Sequence, residues 1–308
     1  MELLLTGTPG PLLGLVERLI AAIAVATNTA VTVRRHDPMA ADDCTAAAVC
    51  SGALRSVIAI DDPARCLAVM AGAGFTAPEA ARRLTAIAAP LVDWVGRNAP
   101  RLLPAMSVGE AIAAIIAAIG LPADAAPDLR LPGWDKSAIL AELAKDLDNS
   151  VSGPIGAMTE IRTLADEVVG PLFAAAASGV RQTVTWSRDC LFWGDHPGEK
   201  LPRIIDLTGP ARVLVYGPYF HLPVGDWTLQ ATLAFSPEAV GAPFAIELHS
   251  DVLLGRGRFR PTAAAVFAVS CHVVVQTAKL PNEIRVVNEN GAIEGNIGID
   301  HVLLIPRP

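Results

Sequence analysis

Both tyrosines of this 308-residue chain, Tyr216 and Tyr219, sit in one short stretch, with His221 just beyond and Trp186 and Trp193 upstream. Flat aromatic faces stack on the C–H edges of a sugar ring, and nearby amides and carboxylates meet its hydroxyls. Tyr216, Tyr219, Trp193, Trp186 and His221 could supply the faces, and Asp195, Asn288, Glu289 and Asn290 the polar partners. Buried aromatics are the rule in β-sandwiches, so a core role competes with this at every ring. Trp227 belongs to a core, and Tyr216 also fits a core position with its hydroxyl satisfied. The candidate ligand residues are therefore Tyr219, His221, Trp193 and Asp195, with Tyr216 and Asn288 beside them.

Other chemistries find less footing. The six histidines, His36, His196, His221, His249, His272 and His301, have no metal-ligand spacing. Asp195, Asp206 or Asp300 could hold calcium in an oxygen-rich loop, but no spacing demands it. No Gly-x-Ser-x-Gly elbow occurs, so the sequence nominates no catalytic residue, metal or cofactor. The run Gly255-Arg-Gly-Arg-Phe-Arg260 puts three arginines on one side of an extended strand. That is either a solvated face or a surface for an acidic glycan or a partner's carboxylates.

The aromatic stretch has to be held by strands. Val213 to Val215 is β-branched and apolar, Gly217-Pro218 breaks it, and Pro223-Val-Gly-Asp226 is a turn. Trp227, Leu229, Ala231, Leu233 and Phe235 then alternate with Thr228, Gln230 and Thr232, a period of two with one buried face. Tyr219 and His221 are expected in loops at a sandwich edge. Further strands are predicted at 182–186, 203–207, 212–216, 244–250, 252–259, 263–276, 283–288, 292–297 and 300–305. Asn290-Gly291 reads as a hairpin between 283–288 and 292–297. Short strands at this spacing predict an antiparallel sandwich or jelly roll over 181–308.

The first part of the chain has a different texture. Strands are predicted at 2–6, 30–34 and 55–60, and helices at 12–26, 64–71, 78–94 and 111–119. Ser107 with Glu110 forms a capping box, and Gly120-Leu-Pro122 stops that helix. Alternation of strands and helices predicts an α/β layer with a parallel sheet. Residues 123–132 are a Pro/Ala/Asp linker, followed by a helix over 136–147. From Ile155, Met158, Ile161, Leu164, Val168 and Leu172 recur as one helical face. That face packs either on its own domain or as an interdomain or homodimer surface.

Segments Leu3–Ile20, Ser56–Met70 and Ala111–Pro122 resemble parts of the sulfotransferase family, a P-loop-type α/β fold. The resemblance implies that the loop after the first strand would hold the phosphosulfate of PAPS, and that an Arg after a later strand would hold its 3′-phosphate. The residues at those positions depart from the pattern. Aligned on Pro9, the loop reads Gly10, Pro11, Leu12, Leu13 and Gly14, without hydroxyl or cation. Pro11 also lacks an amide donor. Asp61 stands where the family has its Arg, and Val69 near its Ser. The resemblance thus implies a degenerate phosphate loop, and a fold that has outlived its chemistry.

The second part is similar to the β-sandwich accessory domains of bacterial polysaccharide-biosynthesis proteins, which are themselves similar to carbohydrate-binding modules. The likeness lies in strand–Gly-Pro-Tyr–Leu-Pro-x-Gly-x-Trp–strand followed by Asn-Glu-Asn. It implies a glycan or polysaccharide-synthesis enzymes as partners.

The sequence thus predicts a degenerate sulfotransferase-like domain over 1–125, a helical connector over 126–180 and a sandwich over 181–308. The function expected is non-catalytic carbohydrate binding, set against a divergent PAPS-dependent sulfotransferase and a structural partner. Twenty-four basic residues against 31 acidic ones give a net charge of −7, which argues against nucleic acid. The run Leu12–Thr27 carries Glu17 and Arg18 and is too short to span a bilayer. The opening Met1-Glu-Leu-Leu-Leu-Thr-Gly has no basic n-region, so a cytoplasmic chain is expected. Cys44, Cys50, Cys66, Cys190 and Cys271 lack CxxC spacing and read as reduced thiols, with a Cys44–Cys50 bridge the alternative.

Overall fold

The computed structural model describes residues 1–37, 55–94, 99–122 and 155–308. The linker, the helix expected over 136–147 and the pair Cys44 and Cys50 lie outside them. The chain divides into two units, Met1–Val180 and Arg181–Pro308.

In the first unit the order is β1 (Glu2–Gly7), α1 (Pro11–Ala26), β2 (Thr32–Arg35), β3 (Ser56–Ala59), α2 (Pro63–Gly72), α3 (Ala77–Asp93), β4 (Arg101–Leu102) and α4 (Val108–Ile119). The four strands form one parallel sheet in the order β2-β1-β3-β4. β1 and β3 are buried on both faces, as parallel strands under helices must be. Leu3, Leu5, Val57 and Ala59 pack with α1 and α4 on one side. Leu4 and Ile58 are equally buried on the other, where α3 lies against β1. The capping box at α4 forms as predicted: Ser107 N–H donates to Glu110 Oε2 at 2.7 Å, and Glu110 N–H to Ser107 Oγ at 3.2 Å. Gly120 ends that helix at φ 70°.

The later helix is a composite of α5 (Ile155–Leu164), a π-helical turn (Ala165–Val169) and α6 (Gly170–Ser178). Pro171 has no N–H for the helical ladder, and the wider turn before it absorbs that defect. Ile161, Leu164, Val168 and Leu172 are buried, with the helix packed on α2 and α3. The stripe considered as an interdomain or homodimer surface is therefore interior packing of the first unit. Among the described residues no helix is long and apolar enough to cross a membrane.

The second unit comprises two antiparallel sheets. One has the order β11 (Leu253–Phe259), β10 (Phe244–His249), β13 (Asn282–Asn288), β8 (Arg212–Phe220), β6 (Phe192–Trp193). The other is β12 (Val266–Val275), β9 (Gly225–Phe235), β14 (Asn296–Pro306), β5 (Val184–Ser187), with β7 (Ile205–Asp206) paired to β14. Their inner faces meet in a shared core: Trp186 of β5 stands edge-on to Phe220 of β8 at 6.1 Å, and Phe235 of β9 meets Phe244 of β10 at 5.1 Å. Trp227, Leu229, Ala231 and Leu233 are all 0% exposed, as their alternation predicts.

Two strand expectations fail. β8 does not stop at Gly217-Pro218. It runs on to Phe220 through a cis Gly217–Pro218 peptide, with Gly217 at φ 104° and register shifts against β13 at both ends. Gly217 supplies a positive φ cheaply, so the strand bends instead of breaking. The Asn290-Gly291 hairpin does not form either. Both sides of β13 are taken, by β10 and β8, so the chain crosses to the other sheet, and 292–305 contributes the single strand β14 rather than two.

Candidate functional site

The loop after β1 is where the resemblance puts a degenerate phosphate loop. Pro9 and Gly10 lie between β1 and α1, and Pro11, Leu12, Leu13 and Gly14 are already in the first turn of α1. A helix N-terminus offers unpaired N–H groups and favours an anion. Here the anion is the chain's own. Leu12 N–H donates to Asp61 Oδ2 at 2.8 Å. Asp61 Oδ1 accepts from Asp62 N–H at 2.8 Å and from Arg65 Nη1 at 2.9 Å, while the Asp61 N–H donates to Thr8 Oγ1 at 2.8 Å. The side chain of Asp61 is 0% exposed. Gly10 makes room for it, since a Cβ there would collide with the Asp61 carboxylate. Asp61, standing where the resemblance has an Arg, fills the anion position itself.

The second candidate lies on the outer face of the β11-β10-β13-β8-β6 sheet. Tyr216 and Tyr219 of β8 and Phe192 of β6 form a ring cluster there. Centroid distances are 5.4 Å for Phe192–Tyr216, 6.4 Å for Phe192–Tyr219 and 6.3 Å for Tyr216–Tyr219. Tyr219 sits at φ 69°, in left-handed space that costs a side-chain-bearing residue energy. Burial, then the Glu283 carboxylate beside it, push its phenol up to about 12. Tyr216 presents its ring while its hydroxyl accepts from Gly198 N–H at 2.9 Å.

Outward residues of β13 and β10 continue the face. Glu283 accepts from Arg285 Nε at 2.6 Å, and Glu247 is bound by His249 at 2.7 Å and Arg256 at 3.1 Å. Aromatic rings and hydrogen-bonding ions thus share the outer face of the sheet, with Glu247 itself only 7% exposed beneath its partners. Glu283 and Arg285 were missed as site residues, although the alternation of Asn282–Asn288 already puts them on the face opposite Ile284 and Val286.

Other candidates fall elsewhere. His221 is interior, 8% exposed, with Nδ1 at 2.9 Å from the Ala278 carbonyl oxygen. Burial lowers its pKa below the usual histidine value. It is not an edge-loop ligand, because Leu222 and Pro223 beside it are buried as well. Asn288 is 1% exposed and faces the core at the end of β13. Trp186 is 0% exposed, so it stacks on nothing outside. Asp195 is held by the Arg212 guanidinium, with Arg212 Nε at 2.6 Å and Nη2 at 3.1 Å. Trp193 packs on His196 at 4.0 Å beyond the tyrosines.

The arginine run also finds its carboxylates inside the molecule. Arg256 and Arg258 both bind Glu289, the latter at 2.8 Å, and Arg260 donates to the Gly241 carbonyl at 2.6 Å. Asp195, Asp206 and Asp300, considered for calcium, do not come together: among the described residues no group of three His, Cys, Asp or Glu could hold a metal ion.

No family model matches this sequence, and no curated protein does. Among solved structures, the C-terminal β-sandwich resembles carbohydrate-binding modules at low identity. One is the CBM36-1 domain of a multidomain xylanase from the hindgut metagenome of Trinervitermes trinervoides, at 11% identity and TM-score 0.30, covering 41% of this chain and 99% of that one. Another is the C-terminal CBM6 of LamC from Zobellia galactanivorans, at 11% and 0.27, covering 40% and 99%. A third is a carbohydrate-binding module of Cellvibrio mixtus lichenase 5A in complex with cellotriose, at 13% and 0.26, covering 41% and 97%.

Proposed function

We propose that the second unit binds a glycan on the outer face of its β11-β10-β13-β8-β6 sheet, with Tyr219 as the stacking ring and Glu283 and Arg285 as hydroxyl partners. The observation that carries this is the Tyr219–Glu283 pair. An aromatic face held in costly backbone geometry stands against a carboxylate that is itself fixed by Arg285. Stacking supplies affinity for a pyranose ring, and the fixed ions choose among hydroxyl arrangements. A glycan array with the whole protein is the test. Retention of a neutral oligosaccharide that Tyr219→Ala abolishes supports the site; retention unchanged by that substitution overturns it.

The same reading makes the first unit a non-catalytic partner of sulfotransferase-like ancestry. Its support is the Asp61 carboxylate at the N-terminus of α1, together with the lack of a cation or hydroxyl in Pro9–Gly14. Phosphosulfate transfer needs positioned positive charge where negative charge develops. Calorimetric titration with a 3′,5′-bisphosphate nucleotide is expected to give no heat of binding, and micromolar affinity would restore the enzyme reading. A glycan-binding unit joined to such a partner suits an accessory role beside enzymes that make or modify surface polysaccharides.

A further inference from the structure

The opposite sheet of the second unit carries a feature that the tyrosine face does not explain. A groove of about 630 Å³ crosses the outer side of β12-β9-β14-β5, within the size range of small-ligand sites. Its floor is low because Ala234 of β9 lies opposite Gly298 of β14 in register, with the Arg203 carbonyl oxygen beside it, 3.2 Å from where a Gly298 Cβ would sit. One wall is the 3-10 turn Arg188–Cys190 after β5. A register shift in β14 between Ile299 and Val302 forms the other end and turns Asp300 outward.

The polar groups in the groove are mostly matched to each other. Asp300 is bound by His301 at 2.8 Å, His301 Nε2 lies 3.4 Å from Thr232 Oγ1, and Arg188 is 3.6 Å from Asp189. Arg203 is the exception: it is exposed and has no ion pair among the described residues. Paired ions with hydroxyls beside them present donors and acceptors together, which suits a polyol and leaves an apolar ligand's polar surroundings unsatisfied. An unmatched guanidinium selects a carboxylate, which it can bind through two parallel N–H···O bonds.

We propose that this groove is a second carbohydrate site, for an acidic oligosaccharide whose uronate carboxylate sits on Arg203. The ligand class rests on the glycan-binding reading above, whereas the site lies on the other sheet and uses none of the same residues.

The test is calorimetry of the full chain with an α-1,4-linked trigalacturonate and with its carboxyl-reduced neutral counterpart. The acidic sugar is expected to bind about tenfold more tightly or better, the scale of one charged hydrogen-bond pair. Arg203→Gln should erase that difference, and Ala234→Phe, at an exposed floor position, should abolish binding with the far-UV circular dichroism unchanged. Tyr219→Ala should leave the affinity for trigalacturonate and its dependence on Arg203 unchanged. Equal affinity for the two sugars, no binding of the acidic one, or indifference to Arg203→Gln overturns the proposal. Loss of trigalacturonate binding in Tyr219→Ala also overturns it while leaving the tyrosine site standing. Arg203-dependent binding of trigalacturonate without any array signal for neutral glycans would keep the groove and remove the tyrosine site.

Discussion

Asp61 Oδ2 accepts the Leu12 amide at 2.8 Å, so a side chain from the end of β3 closes the N-terminus of α1. The same carboxylate takes the Asp62 amide and the Arg65 guanidinium. Two strands, two helices and the intervening loop are thereby tied through one buried group. Asp61→Ala would orphan the Leu12 and Asp62 amides and leave Arg65 unpaired. Each buried donor left unsatisfied costs about 1–3 kcal/mol. A urea melt of the full chain should show a loss of that size or more for Asp61→Ala. Gly10→Ala should also destabilise, since its Cβ meets the same carboxylate. If both variants melt with the wild type, Asp61 does not hold the loop.

Thiol chemistry checks the packing around this point. Cys66 is 0% exposed, and burial, then the Asp61 charge, raise its pKa well above the ordinary thiol value. Cys271 is pushed up to about 11 by burial. The thiolate is the reactive form. Cys66 should therefore resist an aromatic disulfide reagent at neutral pH in the native state, and Cys271 should react slowly. Both should react at once in urea. Rapid native labelling at Cys66, located by peptide mapping, would show the β3–α2 junction to be open.

How far the sequence foretold this depends on the range of the interaction. The Trp227–Phe235 strand was legible because period-two alternation is local, and the Ser107–Glu110 cap because a capping box spans one turn. The end of β8 was misjudged because Gly-Pro ordinarily punctuates, whereas Gly217 only bends the strand between partners that pin both sides. Asn290-Gly291 failed because a turn signal cannot say that the neighbouring strand positions are already occupied. The pairing of Arg256 and Arg258 with Glu289 is a contact across more than thirty residues of chain, as is that of Asp61 with Leu12. Composition gave the sign of those charges and nothing about where they would land.

His221 gives a pH dependence with a defined sign. Burial depresses its folded pKa below the usual 6.5. Well above 6.5 the ring is neutral both folded and unfolded and contributes no slope. As pH falls below that value the unfolded chain takes up a proton that the buried ring refuses, so stability drops until the folded pKa is reached. Melting temperature should therefore fall between about pH 7 and about pH 5, and His221→Asn should reduce that fall. An identical slope in the variant would mean that His221 titrates as an exposed ring.

Tyr219 and Trp227 separate binding from stability within one sandwich. Trp227 is 0% exposed, and its indole N–H donates to the Pro223 carbonyl at 3.1 Å. Trp227→Ala should cost about 3–5 kcal/mol, as for large aromatics removed from cores. Tyr219 faces outward, and its left-handed backbone already carries strain that its ring does not relieve. Tyr219→Ala should leave the melting temperature close to that of the wild type while glycan retention is lost. Glu283→Gln should keep the ring and lower the phenol's titration from about 12 by the carboxylate's share, while burial, the larger cause, still holds it above the usual value. If Tyr219→Ala destabilises as strongly as Trp227→Ala, the ring is structural and the outer-face site is wrong. If the phenol titrates identically in the wild type and in Glu283→Gln, Glu283 does not stand against it, and the pair that defines the site is absent.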